Sequence, residues 1–230
     1  MVSYAEARNL EPTDISSATL PPWFSCFLPS DKSSRILDIG CGHGAMLAGF
    51  RRAGYDNAQG VEIDKESVEF CRTHGLEVNS IDILSDDALN LGQFDLIIMS
   101  HVLEHFPKDR IINLLVQVRK LLKPGAVFYV GVPNAQSNTG AYWAYEDFTH
   151  HTLFTSGSLF YVAKIAGFGN IEFLDIDCTA GVRPHIALFR SGLLALYRAN
   201  YKFWNSVTRS RFHSTVPEIF SYEIKALLRP

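Results

Sequence analysis

The stretch His101-Val-Leu-Glu-His105 places two imidazoles and a carboxylate within five residues, directly after an apolar run. On a helical turn these side chains stand at i, i+3 and i+4 and project from one face. Imidazole nitrogens and a carboxylate grouped in this way suit a divalent metal, and His105 is also of the type that takes a proton as general base. A second constellation lies earlier in the chain. Ile36-Leu-Asp-Ile-Gly-Cys-Gly-His-Gly44 passes from branched apolar residues to glycines at 40, 42 and 44, and then into Met46-Leu-Ala-Gly-Phe50. This is the pattern of a buried strand turning sharply into a helix. Glycine tolerates positive φ and leaves no Cβ in the way of a ligand, while free N–H groups at a helix start attract polar or anionic groups.

Both constellations need a frame, and the alternation of apolar runs with amphipathic segments supplies one. Strands are expected at 35–40, 57–63, 76–81, 94–99 and 126–132, with helices at 44–54, 65–74 and 108–122 between them. That rhythm predicts an α/β fold built on a parallel sheet. Open sheets of this kind bind ligands at the carboxyl ends of their strands, so the glycines and the His/Glu string are expected to face one crevice. Lys123-Pro-Gly125 is expected to end the third helix, since proline cannot continue it and glycine supplies the turn. Residues 135–152 have no clear period and are expected to form a loop covering the site. A helix from Ser156 to Ala166, a strand near 170–177, an inserted helix over roughly 185–213 and a last strand at Phe220–Leu228 complete the chain. Residues 1–34 precede the α/β domain of 35–230 as a proline-punctuated extension. A helical turn is expected at Tyr4–Leu10, and Trp23, Phe24, Phe27 and Leu28 are expected to pack on the domain or cover its cleft.

Composition narrows the class. At 230 residues, 47% apolar and 20% charged, the chain can bury one sizeable core. The net charge of −3 gives no global reason to expect nucleic acid. Cys26, Cys41, Cys71 and Cys178 form no CxxC pair, so neither a zinc knuckle nor a disulfide framework is indicated. With no leader-like segment and no apolar run long enough to span a membrane, the expectation is a soluble, cytoplasmic protein with reduced thiols.

The order Ile36-Leu-Asp-Ile-Gly-Cys-Gly-His-Gly44, Gly60-Val-Glu-Ile-Asp64, Asp82, Phe94-Asp-Leu-Ile-Ile-Met-Ser100 and Leu122-Lys-Pro-Gly125 resembles the class I S-adenosylmethionine-dependent methyltransferases, over about residues 35–178. The resemblance implies a Rossmann-like, seven-stranded, mostly parallel sheet with helices on both faces. It implies that Gly40, Cys41, Gly42 and Gly44 admit the methionine part of S-adenosylmethionine, with Asp38 helping to hold its ammonium group and the carbonyl of Ser100 facing the same end. Glu62 takes the place of the acid that accepts hydrogen bonds from two ribose hydroxyls, and Asp82 that of the acid for the adenine amino group, with Ile63 and Ile83 flanking the ring. Gly40, Gly42 and Ala45 also satisfy the looser dinucleotide pattern. The acid two residues before the first glycine, the close GxGxG spacing and Asp82 favour the methyltransferase series over a nicotinamide enzyme.

Some methyltransferases, among them the small-RNA 2'-O-methyltransferases and the ubiquinone-pathway O-methyltransferases, carry ExxEH after the fourth strand with a further histidine downstream, and bind a divalent metal. This sequence has His101 in place of the first Glu, and His150 in Asp147-Phe-Thr-His-His151 resembles the downstream ligand. The implied metal set is His101, Glu104, His105 and His150, which favours Zn, Mn or Fe over Mg. Glu104, His105 and His150 are also the implied catalytic residues. Val132-Pro-Asn134 and the segment around His150 are similar to bacterial methyltransferases associated with surface polysaccharides. The expectation is thus O-methylation of a sugar, glycan or other small molecule, with Tyr142, Trp143, Tyr145 and Phe148 offering an aromatic platform. An RNA 2'-O-methyltransferase and a non-catalytic cofactor- or partner-binding module are the alternatives. The aromatic and basic residues of 193–211 admit peripheral contact with a lipid-linked or phosphorylated acceptor, a homodimer contact, or packing within a monomer.

Overall fold

The strand Ile36–Ile39 (β1) is buried at every position, which requires cover on both faces and neighbours on both edges. It lies between Ala58–Val61 (β2) and Phe94–Ser100 (β4), parallel to both. The computed structural model describes residues 15–210 and 216–230, so the turn expected at Tyr4–Leu10 and positions 211–213 of the insertion lie outside the described residues. Val78–Asn79 (β3), Leu122–Pro133 (β5), Asn170–Leu174 (β6) and Glu223–Arg229 (β7) complete a seven-stranded sheet of order β3-β2-β1-β4-β5-β7-β6. Only β7 runs antiparallel to its neighbours.

Period-two alternation assigns the strand residues to two apolar layers. Leu37, Ile39, Ile97, Met99, Phe128 and Val130 face one side, where Ile111, Leu114, Leu115 and Val118 of helix Lys108–Lys120 (α3) and Leu159 and Ala163 of Ser156–Ile165 (α5) cover them. Ile36, Leu96, Ile98, Tyr129 and Leu227 face the other, beneath Phe50 of helix Ala45–Arg52 (α1). Phe24 and Phe27 complete this second layer, and Phe27 stacks on Tyr129 at 8° between ring planes and 5.4 Å between centroids. The stretch around Pro22–Cys26 is therefore part of the core. Lys65–Thr73 (α2), capped by Asp64 accepting from Ser67 N, links β2 to β3.

Several boundaries depart from the sequence expectation, among them the strand expected near 170–177, which ends at Leu174. The strand expected at 76–81 shrinks to two residues, because β3 is an edge strand with one partner. Lys123-Pro-Gly125 does not end α3. The helix stops at Lys120, Leu122 already pairs with Phe94, and 123–126 bulge before Val127 pairs with Leu96. The expected loop of 135–152 contains a short helix, Gly140–Glu146 (α4). The last strand begins at Glu223, since Phe220 is turned towards Tyr197 and Tyr201 of the inserted helix Pro184–Thr208 (α6).

Phe24 is only 2% exposed and touches Phe27, Phe50 and Tyr129. Phe24→Ala is expected to lower unfolding free energy by about 3 kcal/mol. Urea titration followed by far-UV circular dichroism measures it, and a loss below about 1 kcal/mol would mean that the segment is a loosely held cover.

Candidate active site

The glycine turn follows from the backbone it must adopt. Gly40, Gly42 and Gly44 have φ of +69°, +50° and +77°, a region costly for residues with a Cβ. A Cβ on Gly40 would lie 2.4 Å from Val102 Cγ2, which brings the end of β1 against the segment after β4. At Gly42 a Cβ would meet nothing within 4 Å, so that side of the turn opens into free space. Cys41 is buried against Gly60, and the Cys71 thiol donates to the Gly42 carbonyl at 3.3 Å. The mutual contact of these two thiols and their burial push the Cys41 thiol far up, so it stays protonated.

Glu62 braces the turn from the end of β2. Its carboxylate accepts from Gly42 N at 2.9 Å, Ile63 N at 2.7 Å and Asp64 N at 3.0 Å. Asp38 is 3% exposed, and burial, with the nearby Glu62 charge and Cys71, raises its carboxyl well above the usual range. Neither carboxylate has a salt-bridge partner among the described residues. Two acids held close without a cation favour a positively charged ligand. Ser100 ends β4 opposite Gly131. At the far edge Ile63 is 74% exposed, whereas Ile83 is buried in the main core, so only Ile63 offers an open apolar side chain there. Asp82 is exposed and accepts from Leu84 N at 2.9 Å.

Beside this turn stands the His/Glu group. The helical turn expected from His101 begins only at Leu103, because His101 itself adopts φ +55° and donates its backbone N–H to Gly131 O. Glu104 is fully buried, and neither of its oxygens takes a hydrogen bond. Its backbone carbonyl accepts from His151 N at 2.8 Å and Thr152 N at 3.2 Å, which docks the distant loop on the same turn. One ligand atom each from Glu104, His105 and His150 lie within 4.8 Å of one another.

The loop fixes the tautomers. His150 Nδ1 lies 2.7 Å from the Trp143 carbonyl, which can only accept, so Nδ1 carries the proton and Nε2 is the basic nitrogen of the neutral ring. That Nε2 is 4.0 Å from Glu104 Oε1 and 3.9 Å from Asp147 Oδ2. His105 Nδ1 lies 2.7 Å from Thr149 Oγ1, whose hydroxyl donates to Asp147 Oδ1 at 2.6 Å. The hydroxyl therefore accepts from His105 and again leaves Nε2 as the basic nitrogen. Burial, with the neighbouring His150, lowers the His105 pKa.

His101, expected as a fourth ligand, lies beside this group and turns its two ring nitrogens to carboxylates. Its Nδ1 is 3.4 Å from Glu104 Oε1 and its Nε2 is 3.3 Å from Glu223 Oε1. Burial alone would lower its pKa, but the contacts with Glu104 and Glu223 outweigh that and raise it to about 10. Both ring nitrogens face carboxylates, which favours the protonated ring. Sequence reading missed Glu223, which reaches the site only because β7 inserts beside β5. It also missed Asp147 and Thr149 as orienting groups. The Asx spacing of Asp147-x-Thr149, with Thr149 N donating to Asp147 Oδ1 at 2.9 Å, was the signal available for them.

A family model described as a methyltransferase domain matches residues 15–172. The chain belongs to the methyltransferase-domain family. Among solved structures, a SAM-dependent methyltransferase from Archaeoglobus fulgidus superposes with a TM-score of 0.65 at 18% identity, covering 90% of each chain. One from Mesorhizobium loti gives 0.58 at 15% identity, covering 94% of this chain and all of the other. These likenesses establish the fold. Among curated relatives, the ubiquinone biosynthesis O-methyltransferase of Bordetella avium is 28% identical over 114 residues, 46% of either protein. That of Chelativorans sp. is 34% identical over 106 residues, 44% of this chain and 40% of the relative. The matches span less than half the length of these curated relatives. Within the family fold, both residue groups sit at the carboxyl ends of β1, β2 and β4, where the parallel sheet leaves its crevice.

Because the folded pKa of His101 lies above its unfolded value, its contribution to stability is complete below about pH 6.5. It is lost as pH rises towards 10. The His101 ring is expected to titrate near pH 10 by NMR. Glu223→Gln should move that titration down and flatten the loss of stability between neutral and alkaline pH. An unchanged His101 titration in the variant would remove Glu223 from the assignment.

Proposed function

We propose that this methyltransferase-domain protein transfers a methyl group from S-adenosylmethionine to a hydroxyl oxygen of a sugar, glycan or other small molecule, assisted by a divalent metal held by Glu104, His105 and His150. The observation that carries the reading is the Glu104 carboxylate, fully buried without a hydrogen bond and grouped with two imidazoles beside the glycine turn. His101 at 3.4 Å offsets part of its charge, but with neither oxygen hydrogen-bonded the carboxylate keeps acceptor capacity that an ion would use.

The cofactor supplies a methyl group already activated on a sulfonium, so the chain has to hold, orient and deprotonate. Asp38 and Glu62 supply negative charge for the ammonium group and the ribose hydroxyls. The open side of Gly42 admits the backbone-hugging part, and Ile63 and Asp82 stand at the adenine edge. Glu104, His105 and His150 would hold a divalent ion, which would supply Lewis acidity to an approaching hydroxyl; two imidazoles suit Mn, Fe or Zn better than Mg. The Asp147–Thr149–His105 chain and the Trp143 carbonyl keep both Nε2 atoms turned to the site. As the S–CH3 bond breaks and the O–CH3 bond forms, the cofactor leaves as a neutral thioether; with an ion held by both Nε2 atoms the acidified hydroxyl would lose its proton to solvent, and without one His150 or His105 would take it at Nε2.

Oxygen as acceptor is supported by the O-methyltransferase names of the curated relatives. A polyhydroxylated acceptor is supported by Tyr142, Tyr145 and Phe148, 54%, 77% and 98% exposed on and just after α4. Rings of this kind stack on sugar or aromatic faces.

The test is S-adenosylhomocysteine release with a panel of catechols and monosaccharides, with added Mn²⁺ or with chelator. Turnover is expected on at least one vicinal diol. His105→Ala and His150→Ala should each reduce it by about 100-fold or more while cofactor affinity is retained. Turnover indifferent to chelator and to both substitutions would sink the site assignment.

Asp38→Asn separates cofactor binding from folding. A carboxyl whose folded pKa is raised costs stability once pH exceeds its unfolded value. The variant is therefore expected to bind S-adenosylhomocysteine more weakly by calorimetry, yet unfold at equal or higher temperature without ligand. A lower melting temperature in the ligand-free variant would contradict this account.

A further inference from the structure

Helix α6 runs for 25 residues, about 37 Å at 1.5 Å per residue, and buries none of them. One side holds it to the domain. Tyr197 Oη donates to Asn138 Oδ1 at 2.6 Å, Arg198 pairs with Asp177 at 2.8 Å, and Tyr197 and Tyr201 pack on Phe220. Away from those contacts the helix carries Phe189, Leu193, Leu196, Phe203, Trp204 and Val207, each between 51% and 69% exposed, at spacings of three, four or seven with 203 and 204 adjacent. A stripe of large apolar side chains of this length is far more than the scattered exposure of an ordinary surface.

Charge separates the possible occupants of that stripe. Between Cys178 and Pro217 the sequence has six Lys or Arg and no Asp or Glu, whereas the rest of the chain has fifteen basic residues against twenty-four acidic ones. A second copy would set one acid-free basic helix against another. RNA would meet the positive charge but leave the Phe, Leu and Trp side chains in water. A bilayer with anionic headgroups satisfies both features, taking the apolar stripe into the acyl boundary and cations not engaged with the domain, such as Lys202 and Arg209, to the phosphates. No helix among the described residues is long and apolar enough to cross a membrane, so such a helix lies in the interface plane.

We infer that α6 is a peripheral docking element for anionic phospholipid membranes. The inference stands apart from the methyl-transfer reading, because it rests on residues outside the His/Glu group and the glycine turn. The test is co-sedimentation with vesicles of phosphatidylcholine alone or with about one third phosphatidylglycerol. Binding is expected to be about 10-fold or more stronger to the anionic vesicles and to fall with added salt. The double variant Phe203→Ser, Trp204→Ser should lose about 10-fold or more of it. Lys202→Ala with Arg209→Ala should remove most of the lipid-charge preference. Both variants are expected to keep the parental circular dichroism spectrum and affinity for S-adenosylhomocysteine, which separates lost docking from misfolding. Failure to sediment, equal binding to neutral and anionic vesicles, retention of single-stranded RNA in preference to vesicles, or a dimer by analytical ultracentrifugation that Leu196→Asp dissolves would each overturn it.

Discussion

A carboxylate sealed from water with neither oxygen hydrogen-bonded is the constraint around which this site is arranged. Glu104 is held there by its own backbone, whose carbonyl takes the N–H groups of His151 and Thr152. Placing the charge and docking the loop are one event: the turn that buries the carboxylate also presents the acceptor that captures the loop. The loop in turn delivers His150, and His105 receives its orientation from Thr149 on the same segment. His101, 3.4 Å away, offsets part of that buried charge.

The glycine turn repeats this arrangement on a smaller scale. Asp38 and Glu62 are close enough to raise the Asp38 carboxyl, with no salt-bridge partner for either among the described residues. The carboxyl end of the sheet thus carries acidic groups at two points, one before and one after the β1–β4 junction where Gly40 meets Val102.

Most of the frame was legible in the sequence. Branched apolar runs at 36–39 and 94–99 announced central strands, and glycines at 40, 42 and 44 could hardly serve anything but the positive-φ turn that the structure has. The site was legible only where it is local. Glu104 and His105 come from one turn, and their spacing carries the information. His101 misled because one left-handed residue breaks the helical geometry that the spacing implies. Glu223 was invisible, since nothing near it in sequence tells that an antiparallel strand will carry it more than a hundred residues back to His101. The bulge at 123–126 was hidden for a similar reason. Proline and glycine mark a break in regular structure without saying whether a helix or a strand is being interrupted.

The position of β7 has a temporal consequence. It pairs with β5 and β6 on its two edges, as in Val130 with Ala226 and Phe173 with Ala226, yet it follows both in the chain. During synthesis β5 and β6 emerge well before the strand that joins them, and closing β5 onto β7 spans nearly a hundred residues, a slow step by loop entropy. Until then the β5 edge stands open to strands of other chains, and His101 lacks one of its two carboxylates. The nascent domain therefore acquires its complete charge constellation last, as a product of finishing the sheet.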